Sequence, residues 1–224
     1  MKQNHFKSTF IMSALILTVA MACNKEAETL IQPGDQVHST STMVVPNVFG
    51  IPIEAAPPAW HIQESEKLEI PEVIDLPANL PSGNSRVATY YAEGVQKYKA
   101  VQTGIDPATF AWVFVAPQAD LYDITNKKRG THGAGPHWQL SAADSIFAQA
   151  YSPPKTAASP DAGSVDWLLL MPKTGKTPTG IFADVSYIQR IATNGGKAPS
   201  TPPVSASQTV DVPYTAIYRF TKIN

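Results

Sequence analysis

The sequence predicts an all-β fold: a single antiparallel domain, either a β-sandwich or a barrel-like sheet. Helical periodicity is nearly absent over residues 76–224, and short runs rich in valine, isoleucine and aromatic residues recur between Gly, Pro and Asn turn signals. The clearest run, Thr209–Phe220, alternates apolar and mostly polar residues, which is typical of a strand with one buried face. Because no helical segment separates these runs, neighbouring strands should pair antiparallel.

Each run has its own signature. Gly94 within Arg86–Val101 predicts a β-bulge. Thr109–Pro117 is apolar on both faces, which predicts a central strand. Pro213 in the last run predicts an edge strand or a bulge, since proline cannot donate to the ladder. A hairpin loop is predicted at Thr125–Arg129, and further strands are predicted at Ser145–Tyr151, Val165–Pro172 and Gly180–Thr193.

The first 22 residues have the composition of an export signal. Lys2 and Lys7 precede a short apolar run, Phe10–Ala22, which is too short to span a bilayer comfortably. The small residues Ala20 and Ala22 lead to Cys23, and this arrangement resembles a bacterial lipobox, in which the cysteine is acylated. Ala20 stands where that pattern prefers leucine. Cys23 is the only cysteine, so an intramolecular disulfide is excluded and lipid attachment, including palmitate, is the expected use of its thiol.

The predicted location is the cell envelope. No aspartate follows Cys23, which by resemblance to sorting signals favours the outer membrane, with the periplasmic and the cell-surface face both open. Several acyl chains hold a protein stably at a membrane. Removal of residues 1–22 leaves 15 basic and 18 acidic side chains, a net charge of −3. Because nucleic-acid binding requires clustered basic charge, no nucleic-acid partner is expected.

Three segments are predicted: a lipoprotein signal peptide at 1–22, a Pro-rich tether with an extended approach to the domain at 23–75, and a β-rich domain at 76–224. Pro46, Pro52, Pro57 and Pro58 predict that the segment through Trp60 forms neither a helix nor a central strand. A turn of helix followed by extended chain is expected within Gln63–Leu76.

Seven blocks of the domain resemble, in order, a secreted bacterial and fungal family known only as domain of unknown function DUF3455. Members of that family often carry two cysteines where this chain has Lys99-Ala100 and Ser200-Thr201, so any disulfide they form is absent here. The resemblance implies a fold and an extracytoplasmic location but no reaction. The blocks are Leu76–Leu80, Glu93–Ala100, Trp112–Asp123, Gly130–Trp138, Val165–Leu170, Ile188–Pro199 and Val212–Phe220.

The most unusual stretch is "GTHGAGPHWQ", Gly130–Gln139. Its glycines and proline are typical of a shaped turn, which favours a structural role for His132. His132 and His137 can also face one side of a loop, but a zinc site needs a third ligand, and no metal or other cofactor is expected. A catalytic His132 remains open, although the chain has no GxSxG elbow and no complete phosphate loop at Gly175-Lys176-Thr177.

Two function classes follow. The preferred class is a binding or structural module at the envelope, with a small-molecule or glycan ligand near His132, Trp138, Gly195 and Gly196. The alternative is a hydrolase or metal-dependent enzyme centred on His132, which requires a carboxylate beside that imidazole. Seven aromatic residues are available either for a ligand groove or for the core: Trp60, Tyr90, Tyr91, Trp112, Trp138, Trp167 and Tyr187.

The lipid anchor is tested by Cys23→Ala. The substitution removes the thiol that acylation requires, so the protein should move from the membrane fraction to the soluble fraction. Cell fractionation with immunoblotting measures the change, with the unsubstituted chain as the membrane-bound control. Retention of the variant in the membrane would show that Cys23 does not anchor the chain.

Overall fold

The computed structural model describes residues 56–224, which form a closed barrel of eight antiparallel strands. Each strand pairs with the next along the chain, and β1 closes the barrel against β8. The predicted antiparallel all-β domain is therefore confirmed, in its barrel form. The strands are β1 Asn84–Ile105, β2 Ala108–Tyr122, β3 Lys128–Gly133, β4 His137–Gln139, β5 Ser145–Ala157, β6 Trp167–Pro172, β7 Tyr187–Gly195 and β8 Thr209–Ile223.

A short helix, α1 (Pro58–Ser65), and a 3₁₀ turn at Glu72–Ile74 precede the barrel. The prediction that the segment through Trp60 contains no helix is wrong, because Pro58 occupies the first turn, where the missing N–H would have no partner in any case. Within residues 56–224, no helix has the length and apolar composition needed to cross a bilayer. The predictions for Cys23, the signal peptide and the tether up to residue 55 fall outside the described residues.

The side chains of alternate residues fill the barrel interior. On β8 the predicted alternation is confirmed for Tyr214, Ala216, Tyr218 and Phe220, which are all buried in one cluster. Strands from around the whole barrel contribute to the same cluster, so the core is continuous. Its other members are Tyr90, Ala92, Ala119, Leu121, Trp138, Ile146, Ala148, Leu170, Phe182, Val185 and Ile188.

A second apolar cluster lies on the outer face, beneath α1 and the 3₁₀ turn. Ile62 and Ile74 pack there against residues of β1, β6, β7 and β8, including Ile217. Two polar residues fix this cover: Arg219 donates to the Ser65 carbonyl at 2.7 Å, and Gln189 donates to the Ile74 carbonyl at 2.9 Å. Ile217 and Arg219 were predicted on the mostly solvated face of β8, but they are buried because this segment covers them.

The two ends of the barrel differ. At one end, a 3₁₀ turn at Gly180–Phe182 places the fully buried Phe182 against Phe220, with ring centroids 4.8 Å apart. The prediction of one strand over Gly180–Thr193 is therefore wrong in its first part, and β7 begins only at Tyr187. The opposite end is formed by the start of β2, the turn between β3 and β4, and the end of β5. We call these the plugged end and the open end.

The first hairpin extends beyond the open end. β2 pairs with β3 only from Ala119 onward, so its earlier residues pair with β1 alone. Val113, Phe114 and Val115 are each between 41% and 52% exposed. The prediction of a central strand at Thr109–Pro117, buried on both faces, is therefore wrong for this stretch. Instead, this stretch projects past the barrel wall at the open end.

Gly94 is a point of close backbone approach rather than the predicted bulge. It pairs in register with Ala119 on β2 and with Tyr214 on β8, and the irregularities of β1 lie elsewhere, between Lys97 and Tyr98 for example. A Cβ atom at Gly94 would lie 2.1 Å from the Gln118 carbonyl oxygen. Backbone atoms cannot move aside as a side chain can, so this position requires glycine.

Gly94→Ala should therefore destabilise the barrel by about 1–3 kcal/mol, the usual cost of overpacking. Gly133→Ala is the matched control, because a Cβ at Gly133 meets no atom within 4 Å and should change stability by less than about 0.5 kcal/mol. Urea denaturation followed by circular dichroism measures both variants. Equal stability of the two variants would contradict the close approach of β1 and β2 at Gly94.

Candidate functional site

The barrel interior is not completely filled at its open end. A pocket of about 340 Å³ lies there, above the buried core. All eight strands and the turn between β3 and β4 contribute residues to its walls, and β4 contributes only Trp138. One continuous sheet therefore holds the strand residues of the lining in place. Most of the lining is apolar: Phe114, Val115, Ala116, Pro117, Gly135, Pro136, Trp138, Ala150, Leu168 and Leu170, with Gln96, His132, Arg190 and Tyr218 as the polar members.

His132 lies in the wall of this pocket and is 3% exposed. Its Nδ1 lies 3.0 Å from the His137 carbonyl oxygen. Because a carbonyl only accepts hydrogen bonds, Nδ1 carries the proton and Nε2 is the unprotonated nitrogen. Burial lowers the pKa of His132 to about 3. The hydrogen bond to the His137 carbonyl raises this pKa, but by less than burial lowers it. The imidazole is therefore neutral at physiological pH.

Trp138 forms the floor beneath His132. The two rings stack with centroids 4.4 Å apart and an interplanar angle of 12°, and Tyr218 packs edge-on against Trp138 at 5.0 Å. Below, Trp138 contacts Phe220 at 5.6 Å, which connects the floor to the plugged end. Trp138 is fully buried, so of the two uses open to it in the sequence it belongs to the core as well as to the pocket lining.

The two histidines of the "GTHGAGPHWQ" stretch face opposite sides of the sheet. His132 points inward with Trp138, whereas His137 stacks on Phe147 with centroids 4.2 Å apart and does not line the pocket. The prediction that both imidazoles can share one side is therefore wrong, because they alternate across the β3–β4 pair. Over residues 56–224, no three His, Cys, Asp or Glu side chains come together in a group able to hold a metal ion.

Gly195 and Gly196 lie behind the pocket wall rather than in the lining. Both have positive φ, 69° and 88°, which the turn from β7 requires. A Cβ at Gly196 would lie 3.0 Å from Gln96 Cγ, and the Gly196 carbonyl accepts a 2.6 Å hydrogen bond from Tyr98. Of the four predicted ligand-binding residues, His132 and Trp138 thus line the pocket. Gly196 packs behind Gln96, which also lines the pocket, whereas Gly195 lies against the Pro213 backbone.

Three polar residues of the pocket, Arg190, Gln96 and Tyr218, were not predicted as site residues. Arg190 follows Gln189, which faces outward, so the Arg190 side chain faces the barrel interior. Its backbone is opposite Tyr218 in the β7–β8 ladder. Its Nε and Nη2 donate to the Asp166 carbonyl at 3.1 and 2.7 Å. Arg190 is two residues after the buried Ile188, and side chains two apart on a strand share one face, which would predict an inward Arg190. The sequence supports this prediction only weakly, because the apolar Ile191 equally favours an inward face for residues 189 and 191.

Two of the six buried polar atoms without a hydrogen bond in the described part of the chain, Gln96 Nε2 and Trp138 Nε1, belong to residues that line the pocket. The Tyr214 hydroxyl, a third such atom, belongs to the buried core and does not line the pocket. Gln96 and Tyr214 are each 2% exposed. Burial raises the pKa of Tyr214 far above its usual range, so its hydroxyl is protonated. Such groups usually find a protein or solvent partner, and each one left unpaired costs about 1–3 kcal/mol.

The pocket does not contain the carboxylate that the enzyme alternative requires. His132 is oriented by a backbone carbonyl, and none of the residues that line the pocket is Asp, Glu, Ser, Cys or Lys. A histidine base acts with a nucleophile or water and an orienting acid in hydrolytic sites. The lining observed here provides one neutral imidazole without either protein partner.

A second cavity, of about 630 Å³, lies on the outer face near α1. Among the aromatic residues considered for a ligand groove, Tyr91 and Trp167 contribute to its lining. They are only 7% and 5% exposed, which leaves little ring surface for stacking on a sugar. Trp138 is the one of the seven aromatic residues considered above that lines the interior pocket.

The buried neutral His132 should make stability depend on pH. Its pKa is about 3 in the folded protein and 6.5 in the unfolded chain, so the unfolded chain binds more protons as the pH falls. The free energy of unfolding should then decrease toward acid by up to about 1.4 kcal/mol per pH unit for this one group. His132→Asn should reduce that slope between about pH 6 and pH 4, as measured by urea denaturation.

His137→Asn is the matched control, because it retains the His132 imidazole and should keep the slope that His132 causes. An NMR titration of the imidazole protons gives an independent measure, in which His132 should not titrate near pH 6.5. A slope unchanged in His132→Asn, or titration of His132 at its ordinary pKa, would contradict the buried neutral assignment.

A family model described as a protein of unknown function, DUF3455, matches residues 81–222. This region begins just before β1 and ends within β8, so it corresponds to the complete barrel. No curated protein and no solved structure matches the chain. The resemblance seen in the seven sequence blocks is therefore confirmed: the chain belongs to the DUF3455 family.

Proposed function

We propose that this domain is a binding module that holds a small, largely apolar ligand in the open end of its barrel, and that Cys23 anchors it to the outer membrane. The observation that carries the proposal is the interior pocket of about 340 Å³ with an apolar lining and a few fixed polar groups. Small-molecule sites commonly have this size and composition, and mouths of β-barrels are a common place for them.

The construction of the pocket supports binding. The polar residues lie on strands rather than on loops: Gln96 on β1, His132 on β3, and Arg190 on β7. Strands of a closed barrel are held on both sides, so these groups keep their positions without a ligand. Directly beneath the pocket, Trp138 packs against Phe220, so the pocket has a closed floor.

The envelope part of the proposal is supported by the N-terminal sequence. An apolar run of the length of an export signal precedes the single cysteine of the chain, Cys23. The stretch between Cys23 and α1 would then tether the barrel to the membrane. A barrel held in this way can present its open end to ligands in the adjacent aqueous compartment.

The binding proposal is tested by closing the pocket. Ala150 lies at the mouth, is exposed and lines the pocket, so Ala150→Trp should block the opening with little effect on the core. The probe is the neutral dye N-phenyl-1-naphthylamine, whose fluorescence rises in apolar surroundings. The unsubstituted protein should bind it at one saturable site, and Ala150→Trp should weaken binding by at least about tenfold, or 1.4 kcal/mol.

Ala158→Trp is the matched control, because Ala158 is also exposed and does not line this pocket. It should bind the dye as the unsubstituted protein does. The proposal is wrong if the folded, unsubstituted protein binds no dye, or if Ala150→Trp and Ala158→Trp bind it equally.

A further inference from the structure

We propose that the pocket selects a small apolar carboxylate, whose acid group pairs with Arg190 and whose hydrocarbon part fills the rest of the volume. This inference names the ligand class and rests on the binding function proposed above. It follows from three features of the pocket: its single cationic side chain, its unpartnered donors and the separation of its polar wall from its apolar walls.

Arg190 is the only charged side chain in the lining. Among the ion pairs of the described residues, none involves Arg190. Its guanidinium donates two hydrogen bonds to the Asp166 carbonyl and lies within hydrogen-bonding reach of the Tyr218 hydroxyl, which leaves further N–H donors, and neither partner supplies a negative charge. Arg190 is half-buried, so its guanidinium is accessible from the pocket, and an anion that enters the pocket would be its first oppositely charged partner among the described residues.

The groups around Arg190 add donors rather than acidic side chains. The Tyr218 hydroxyl is fully buried beside it; burial raises the pKa of Tyr218, and the nearby Arg190 charge only partly opposes this. Gln96 Nε2 is buried and has no partner among the described residues. A carboxylate offers two oxygen atoms that only accept hydrogen bonds, which matches this set. His132 is neutral and neither supplies nor opposes a charge.

The polar and apolar parts of the pocket lie on different walls. Arg190, Tyr218 and Gln96 belong to β7, β8 and β1, which are adjacent strands of the barrel. Pro117 on β2 and Leu168 and Leu170 on β6 provide apolar surface on either side of that polar wall. A molecule with one acid group and a hydrocarbon body matches this division. A highly polar molecule such as a sugar would leave most of its hydroxyl groups without partners.

The test compares three ligands of equal chain length: octanoate, octanol and octylammonium, each displacing N-phenyl-1-naphthylamine at pH 7. Hydrogen bonds to a charged group contribute enough that octanoate should bind about 10–100-fold more tightly than octanol. Octylammonium should bind more weakly than octanol, because its charge repels Arg190. This comparison uses the unsubstituted protein and needs no variant to fold.

Arg190→Met tests the assignment to one residue. It should bind octanoate no better than octanol while octanol binding persists. Lys99→Met is the control, because it removes an exposed positive charge from a residue that does not line the pocket and should keep the preference for octanoate. Arg190→Lys should retain part of the preference.

Two failures can be told apart. If octanol and octanoate bind equally, and Ala150→Trp blocks both, the carboxylate inference is wrong while the binding function stands. The inference is also wrong if Arg190→Met keeps the full preference for octanoate. If neither the dye nor any of the three ligands binds, the proposed function and the inference both fail.

Discussion

The column of aromatic rings along the barrel interior determines which part of that interior is left unfilled. Phe182, Phe220, Trp138 and His132 contact one another in sequence, with centroid distances of 4.8, 5.6 and 4.4 Å. This column fills the barrel from the plugged end to about the level of His132. Above that level the interior residues include Ala150, Gly135 and Pro136, whose small or rigid side chains leave volume unfilled. Aromatic packing below and small residues above thus produce the pocket at the open end.

Some polar groups at and beside the pocket remain without hydrogen bonds in the folded barrel. Buried Gln96 Nε2, Trp138 Nε1 and the Tyr214 hydroxyl lack partners, at a cost of about 1–3 kcal/mol each. The apolar clusters inside and outside the barrel offset that cost. If the proposed ligand supplies acceptors to these groups, its binding would also stabilise the folded barrel.

The sequence predicts the fold class well because strand alternation and turn residues are local signals. On β8, every second residue is apolar, and this spacing directly predicts the inward face formed by Tyr214, Ala216, Tyr218 and Phe220. Closure of the barrel cannot be predicted in this way, because it depends on the pairing of β1 with β8, whose partner residues run from Lys99 with Thr209 to Asn84 with Ile223 and so lie more than a hundred positions apart. The covered outer face misleads for a related reason: Ile217 and Arg219 are buried by α1, which begins in a segment whose prolines predicted no helix.

The candidate site is predicted only in part, for the same physical reason. His132 and Trp138 stand out through their composition, and the structure places both in the pocket. Gln96 and Arg190 lie on separate strands and meet only because the barrel closes, so no motif joins them. The sequence likewise cannot show that His132 and His137 alternate across the sheet, since the spacing of five within a glycine-rich turn permits either arrangement.

The central claim is that the barrel interior is open at one end and filled at the other. X-ray diffraction from crystals of the Cys23→Ala protein under xenon pressure tests it directly, since xenon enters apolar cavities that contain no side chains. A xenon site bounded by Trp138, Leu168 and Leu170 is the predicted result. An interior without xenon, in which side chains from β2 or the β3–β4 turn occupy that volume, would contradict the account.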